Sequence, residues 1–377
     1  MSEAIGAGRG AGTRRVVVAV DSFKGSIGAA AAARAVAEGI ASTAPRAEVE
    51  LRPMADGGEG TLEAFSAAPG ARRMPVDVRG PDGATVAAQW LLLERADGAT
   101  GVVELASTSG LELLGERRLP WSADTYGFGQ AIAAALAHGV DRLVLGIGSS
   151  ASTDGGAGML AALGARLRDE HGAPFLPGAA GLESIVSVDL STCAPPPTGG
   201  AIVLTDVTNP LLGERGAAAV FGPQKGLDGA GIARADRALA RFAPLLDADP
   251  ELPGSGAAGG TGFALRAWGA ALVPGAAAVA ELIGLDSAIR SADLVVTGEG
   301  SYDRQSLDGK VPGFVLAVAR DAGVPIALVA GRIDPAADRA PFSSAIALTE
   351  LAGGGAAAMA APARWLRQAG EALGSRL

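Results

Sequence analysis

The sequence predicts two α/β domains, one built on a parallel sheet from both chain ends and a second inserted between them. Three observations point there. First, strand-like runs repeatedly end in glycine-rich loops that open Ala-rich helical stretches, the pattern of a parallel α/β sheet. Second, this texture is interrupted after Ala71 by short runs with hairpin turn signals, and parallel-type runs return after Ala292. Third, hydrophobic residues make up 49% of the chain but aromatics only 4%. The core must therefore be Val, Leu, Ile and Ala, which suits helices packed on parallel strands. A chain of 377 residues is long enough for two such domains.

Taken in order, RRVVVAVD (14–21) reads as the first strand. A helix follows from Ser26 to about Ser42, with Ser26 as its N-cap. AEVELRPM (47–54) is the second strand and leads through ADGGEGT into another helix. GPDG (80–83) and ADGA (96–99) mark antiparallel turns. The helical segment 124–139 feeds the strand 141–148, and 149–164 opens a further helix. AIVLTDV (201–207) is a strand, followed by helices near 229–246, 261–272 and 275–290. ADLVVTGEG (292–300), PIALVAG (325–331) and SSAIALTE (343–350) close the pattern as parallel strands. The expected domains are 15–75 with 285–377, and 76–284, behind a disordered tail at 1–14.

Composition narrows the function. A net charge of −9 argues against a nucleic-acid-binding surface. No apolar run reaches the ~18 residues of a membrane span, and the N-terminus lacks the apolar core of a signal peptide. Cys193 is the single cysteine, so no intrachain disulfide can form and a reducing cytoplasm is the expected compartment. Of 31 basic residues only Lys24, Lys225 and Lys310 are lysine, and Asn209 is the single asparagine. All four stand in loop-like segments dense in Gly or Pro: DSFKGS, DVTNPLLG, GPQKG and DGKVPG. A surface lysine exchanges freely for arginine, whereas a compact ammonium that meets a phosphate or carboxylate does not.

In open α/β sheets ligands bind at the carboxyl ends of the strands. Five expected strand ends here run into glycine-rich, charged loops, at 21–26, 56–61, 146–156, 206–209 and 298–303. Glycine lets the backbone approach a phosphate, and helix N-termini supply N–H donors for anions. Carboxylates in these loops can hold Mg²⁺ or orient a substrate hydroxyl, and Lys24 and Lys310 can neutralise moving phosphate charge. These are the parts of phosphoryl transfer.

Other chemistries fit less well. GIGSSA (146–151) matches a dinucleotide fingerprint, but no ribose-binding acid follows at the usual distance, so an oxidoreductase is the runner-up. GSGAAG (254–259) has no strand before it and reads as a tight turn opening a helix. Walker A is absent, because DGK (308–310) is followed by Val and lacks the required upstream Gly. His138 sits near a helix end and His171 in a loop, so neither a Ser-His-Asp triad nor a Cys/His zinc site can be assembled. Any base is a carboxylate. Asp154, ahead of GGAGML, reads either as a ligand-binding residue or as a helix N-cap.

DSFKGS, PMADGGEGT, GIGSSASTDGGAGML, DVTNPLLG, FGPQKG, GAAGGTGF and TGEGSYDRQSLDGK occur in an order that resembles the type-1 glycerate kinases, over roughly residues 15–370. The resemblance implies a flavodoxin-like domain from both chain ends and a second α/β domain between. It also implies ATP- and Mg²⁺-dependent phosphorylation of D-glycerate at the 2-hydroxyl, with 3-phosphoglycerate formation or another hydroxy acid as the alternative. On that reading Lys24, Asp21 and Asp206 serve the chemistry. Ser22, Asp56, Glu59, Asp154, Asn209, Lys225, Gly298, Glu299, Gly300, Asp303 and Lys310 bind substrate or phosphate, and Asp56 and Glu299 hold the metal. Ser149 stands where the family usually has Gly, which matters if φ there is positive. Ser152-Thr153 and Leu212 replace a frequent Thr-Asn and Cys.

Overall fold

The computed structural model describes residues 13–377 apart from 67, 69, 96, 97, 308 and 309. Residues 1–12 of the expected tail, and two positions of the second turn signal, lie outside the described residues. In chain order the strands are β1 (Arg15–Val20), β2 (Glu48–Leu51), β3 (Ala71–Arg79), β4 (Thr85–Arg95), β5 (Gly98–Glu104), β6 (Arg142–Gly146), β7 (Arg166–Arg168), β8 (Ser187–Asp189), β9 (Ala201–Leu204), β10 (Ala271–Val273), β11 (Leu294–Tyr302), β12 (Ile326–Ile333) and β13 (Ser344–Ala347). The chain divides into two compact units. One holds the described residues up to Met54 together with Ala280–Leu377, and the other is Ala55–Val279.

The first unit is a five-stranded sheet in the order β13-β12-β11-β1-β2, with every pairing parallel. Renumbered within the unit this is the 2-1-3-4-5 order of flavodoxin-like sheets. β1 is almost wholly aliphatic because it lies at the centre, where Val16, Val18 and Val20 are fully buried. The helices Ala29–Thr43 and Pro362–Gly374 pack together through small residues. A Cβ on Gly39 would lie 2.0 Å from the Arg367 carbonyl oxygen, and one on Gly370 would lie 2.2 Å from that of Val36. That closeness accounts for the Ala- and Gly-rich composition of this layer.

The second unit carries a six-stranded sheet in the order β10-β9-β6-β5-β4-β3. β3, β4 and β5 form the expected antiparallel meander, whereas β5, β6, β9 and β10 run parallel. At the GPDG turn Gly83 has φ +85°, and Asp82 Oδ1 accepts from the Ala84 N–H at 3.1 Å. The core gathers Trp90, Leu92, Phe128, Leu143, Leu145, Met159 and Phe263.

Several boundaries differ from expectation. The first helix starts at Ala29 with Gly28 before it, not at Ser26. Ser26 instead turns back onto its own loop, its Oγ donating to the Phe23 carbonyl at 2.7 Å. The stretch 275–290 is two helices, broken at Gly284 with φ +69°. The helix expected to end at 272 gives way to β10 at Ala271, and the β7–β8 hairpin had no clear alternation to announce it. Residues 55–75 belong to the second unit, so the domain boundary falls earlier than residue 76. Gly57 explains why: its Cα presses on Leu204, and a Cβ there would lie 2.2 Å from the Leu204 carbonyl oxygen.

Candidate active site

In the first unit the chain leaves β1 on one side to form β2 and occupies the other side with β11. In such sheets ligands sit at the strands' carboxyl ends beside a reversal of this kind. Of the residues singled out from sequence, Asp21, Ser22, Lys24 and Gly298–Gly300 lie there. Val20 pairs with Gly298, and the Asp21 N–H donates to the Gly298 carbonyl at 2.8 Å. Asp21 Oδ1 accepts from the Ser22 N–H at 2.6 Å. Gly300 lies against the Phe23–Lys24 backbone, where a Cβ would come within 3.1 Å of the Lys24 nitrogen. Gly298 tolerates nothing larger, because its Cβ would fall 1.9 Å from the Val329 carbonyl oxygen. The Lys24 side chain is exposed beside these strands, whereas Glu299 is buried.

Asp303 caps the short 3-10 helix Arg304–Leu307. Its Oδ1 accepts from the Gln305 N–H at 2.8 Å. Lys310 occupies the N-cap position of the helix Val311–Asp321 and is half-buried. A cation gains nothing from the helix dipole at that end. The neighbouring amides and the ammonium are instead both suited to an anion.

In the second unit the loops after β5, β6 and β9 meet the segment 55–61 at one sheet edge. The Gly148 N–H donates to the Gly57 carbonyl at 3.1 Å, and a Cβ on Gly275 would lie 2.0 Å from the Asp56 carbonyl oxygen. Asp206 Oδ1 accepts from the Gly275 N–H at 3.0 Å. Partial burial raises the Asp206 pKa and so does nearby Asp56, while the Gly275 N–H opposes them. Asp56 Oδ1 accepts from the Gly58 N–H at 3.1 Å, and Glu59 is exposed. Asn209 is occupied within its own loop, with Nδ2 donating to the Arg215 carbonyl at 2.7 Å.

Two of the expected ligand-binding residues are buried and held by neighbours within the second unit. Asp154 is fully buried and accepts from Thr125 N and Oγ1, Ser152 Oγ, and the N–H groups of Gly156 and Gly158. Five donors saturate a carboxylate, so it braces the Gly156–Gly158 entry to the helix Ala157–Ala162 and ties it to Thr125. Lys225 is 2% exposed. Its Nζ donates to the Ser152 carbonyl and reaches Ser150 Oγ at 3.5 Å. Burial lowers its pKa to about 7, and Asp154 opposes that fall. Lys225 thus clamps the 146–156 loop from beneath. Gly259 passes so close that a Cβ would sit 2.9 Å from Nζ.

A profile of the glycerate kinase family matches residues 16–377. The chain belongs to the glycerate kinase family. It is 42% identical over 326 residues to a glycerate kinase of Halalkalibacterium halodurans, covering 84% of this chain and 85% of the relative. It is 41% identical over 327 residues to the glycerate 2-kinase of Escherichia coli, covering 85% of each. The crystal structure of a provisionally assigned glycerate kinase 2 from Salmonella typhimurium LT2 superposes with a TM-score of 0.82 at 37% identity, covering 97% of this chain and 98% of that one.

Within this kinase family the departure at Ser149 acquires a physical meaning. Its φ is +60°, the left-handed region that a glycine would occupy without strain. Ala258 is likewise left-handed at +54° and opens a run continued by Gly259 and Gly260. The dinucleotide fingerprint in the 146–156 loop lacks its structural context. The next helix begins only at Ala157, with ten residues between it and the end of β6, so no tight strand-to-helix turn exists to cradle a pyrophosphate. The sequence reading passed over two buried acids, Asp124 and Glu104, the latter at the end of β5. A charged residue closing a run of buried aliphatics (GVVEL) was the available signal.

Proposed function

We propose that this protein phosphorylates D-glycerate with ATP, at the 2-hydroxyl, giving 2-phosphoglycerate. The observation that carries the reading is the convergence of Asp21, Ser22, Lys24 and Gly298–Gly300 on the reversal between β1 and β11. The name of the Escherichia coli relative supports the 2-position.

Phosphoryl transfer asks the protein mainly for positioning and charge neutralisation. Lys24 supplies an exposed compact ammonium for a phosphate or for the glycerate carboxylate. Lys310, with the helix N-terminus it precedes, supplies a second anion-binding element. As the glycerate oxygen bonds to the γ-phosphorus, the bond to the bridging oxygen of ADP breaks and the hydroxyl proton passes to a carboxylate. Asp21, at the same strand ends as Lys24, is the choice for that proton, and its Oδ1 also holds the β1 loop through the Ser22 N–H.

Mg²⁺ fits the donor set. Among the described residues no group of three or more His, Cys, Asp or Glu could hold a metal by itself. That suits an ion bound through one or two carboxylates and the nucleotide phosphates. Asp56, with Asp206 nearby, and separately Glu299 are the candidate ligands, and the ion would neutralise charge on the transferring group. A cytoplasmic location follows from the ATP requirement and from the single cysteine. Among the described residues no helix is long and apolar enough to cross a membrane.

The test is incubation with D-glycerate and Mg-ATP, with the product isomer identified by phosphorus NMR. 2-Phosphoglycerate is expected, and excess EDTA should stop turnover. The appearance of 3-phosphoglycerate would move the attack to the other hydroxyl. An absence of product, with NAD(P) and not Mg-ATP raising the melting temperature, would favour an oxidoreductase.

A further inference from the structure

Glu104 ends β5 and is 7% exposed. Its carboxylate faces the N–H groups of Gly60, Thr61 and Leu62, with Leu62 N at 3.4 Å from Oε1. These three amides belong to the residues that close the Asp56-Gly-Gly-Glu59 loop and start the helix Thr61–Ser66. The loop is also fixed by Gly57 on Leu204, Gly58 beside Gly148 and Asp56 under Gly275, and internally by Thr61 Oγ1 donating to the Gly58 carbonyl and the Gly58 N–H donating to Asp56 Oδ1. Glu104 is thus the side chain that ties the loop's exit to the parallel strands. We propose that Glu104 is a positioning residue, which grips the 60–62 amides and so sets the geometry at which Asp56 and Glu59 are presented.

The proposal rests on the reading above that Asp56 and Glu59 serve the transfer. A structural role alone explains Glu104 poorly. Burial raises its pKa to about 7 against the pull of those amides, and Glu59 adds repulsion, so the carboxylate costs the fold something at neutral pH. A glutamine of the same size would avoid that cost. Residues that lower stability while organising a loop are typical of functional sites.

Glu104→Gln tests this, because it keeps the volume but replaces one accepting oxygen with an NH₂ that repels the amide row. Hydrogen exchange at the 57–62 amides should quicken at least ~10-fold. kcat/KM for D-glycerate should fall at least ~10-fold, the Mg²⁺ concentration for half-maximal rate should rise, and the unfolding midpoint at pH 8 should hold or increase. Unchanged loop exchange overturns the proposal, as does kcat/KM within twofold of wild type. A lowered midpoint with faster exchange throughout the unit overturns it too, because that marks a purely structural prop. If the wild-type protein does not phosphorylate D-glycerate, the kinase reading fails, and the exchange arm still decides whether Glu104 holds the loop. Glu104→Asp keeps the charge and should restore part of the protection.

Discussion

Replacing Lys225 by Met removes a buried ammonium while keeping a flexible, unbranched side chain of nearly the same reach. In the folded protein burial takes this lysine from 10.5 to about 7. The folded state therefore binds the proton more weakly than the unfolded state, and protonation favours unfolding. The lysine's contribution to stability is fully present above pH 10.5 and is lost as pH falls through about 7. At about 1.4 kcal/mol per pH unit, the wild-type protein loses about 2–3 kcal/mol relative to Lys225→Met between pH 9 and pH 6, mostly above pH 7. Against this, the variant strands the Ser152 carbonyl, a pH-independent loss of about 1–2 kcal/mol. The two proteins should be close in stability at pH 9, and the variant should be the more stable at pH 6. Guanidinium unfolding followed by tryptophan fluorescence suits the question, since Trp90, Trp121 and Trp268 lie in the same unit as Lys225 and only Trp365 lies in the other. A stability difference that stays constant from pH 6 to pH 9 would refute the reasoning. So would a wild-type advantage that grows as the pH falls.

Four further outcomes are expected. Lys24→Met should lower kcat/KM by about 10²-fold or more, a transition-state loss of ~3 kcal/mol, and leave the melting temperature unchanged because the side chain is exposed. Lys24→Arg should also lose most activity in the same steady-state assay, and full activity in that variant would exclude a need for a compact ammonium. Gly57→Ala places a Cβ 2.2 Å from the Leu204 carbonyl oxygen at φ +97°, so it should cost about 2–4 kcal/mol by denaturant titration, and a neutral result would mean the loop moves freely. Ser149→Gly should stabilise by about 0.5–1 kcal/mol, the left-handed strain relieved less the added unfolded-state entropy, visible as a raised unfolding midpoint.

The sequence by itself determined most of the strands, the glycine-rich loops and the family, because each is a local signal. Val16 to Val20 read as a buried strand from their own side chains, and GPDG as a turn from its own glycine and aspartate. The lysine holdouts drew attention to Lys24 and Lys310, which stand after a strand and at a helix start. The same argument could not separate Lys24, which is exposed, from Lys225, which is buried. Burial of a polar side chain depends on chain segments far away: Lys225 is enclosed by Ser152, 73 residues distant, and Asp154 is saturated partly by Thr125. Glu104 meets Leu62 across 42 residues and a change of strand, which no spacing rule encodes. Only the tertiary structure decided which carboxylates and ammoniums meet solvent and which brace the loops. Desolvation and hydrogen-bond saturation are properties of the packed chain, not of any one segment.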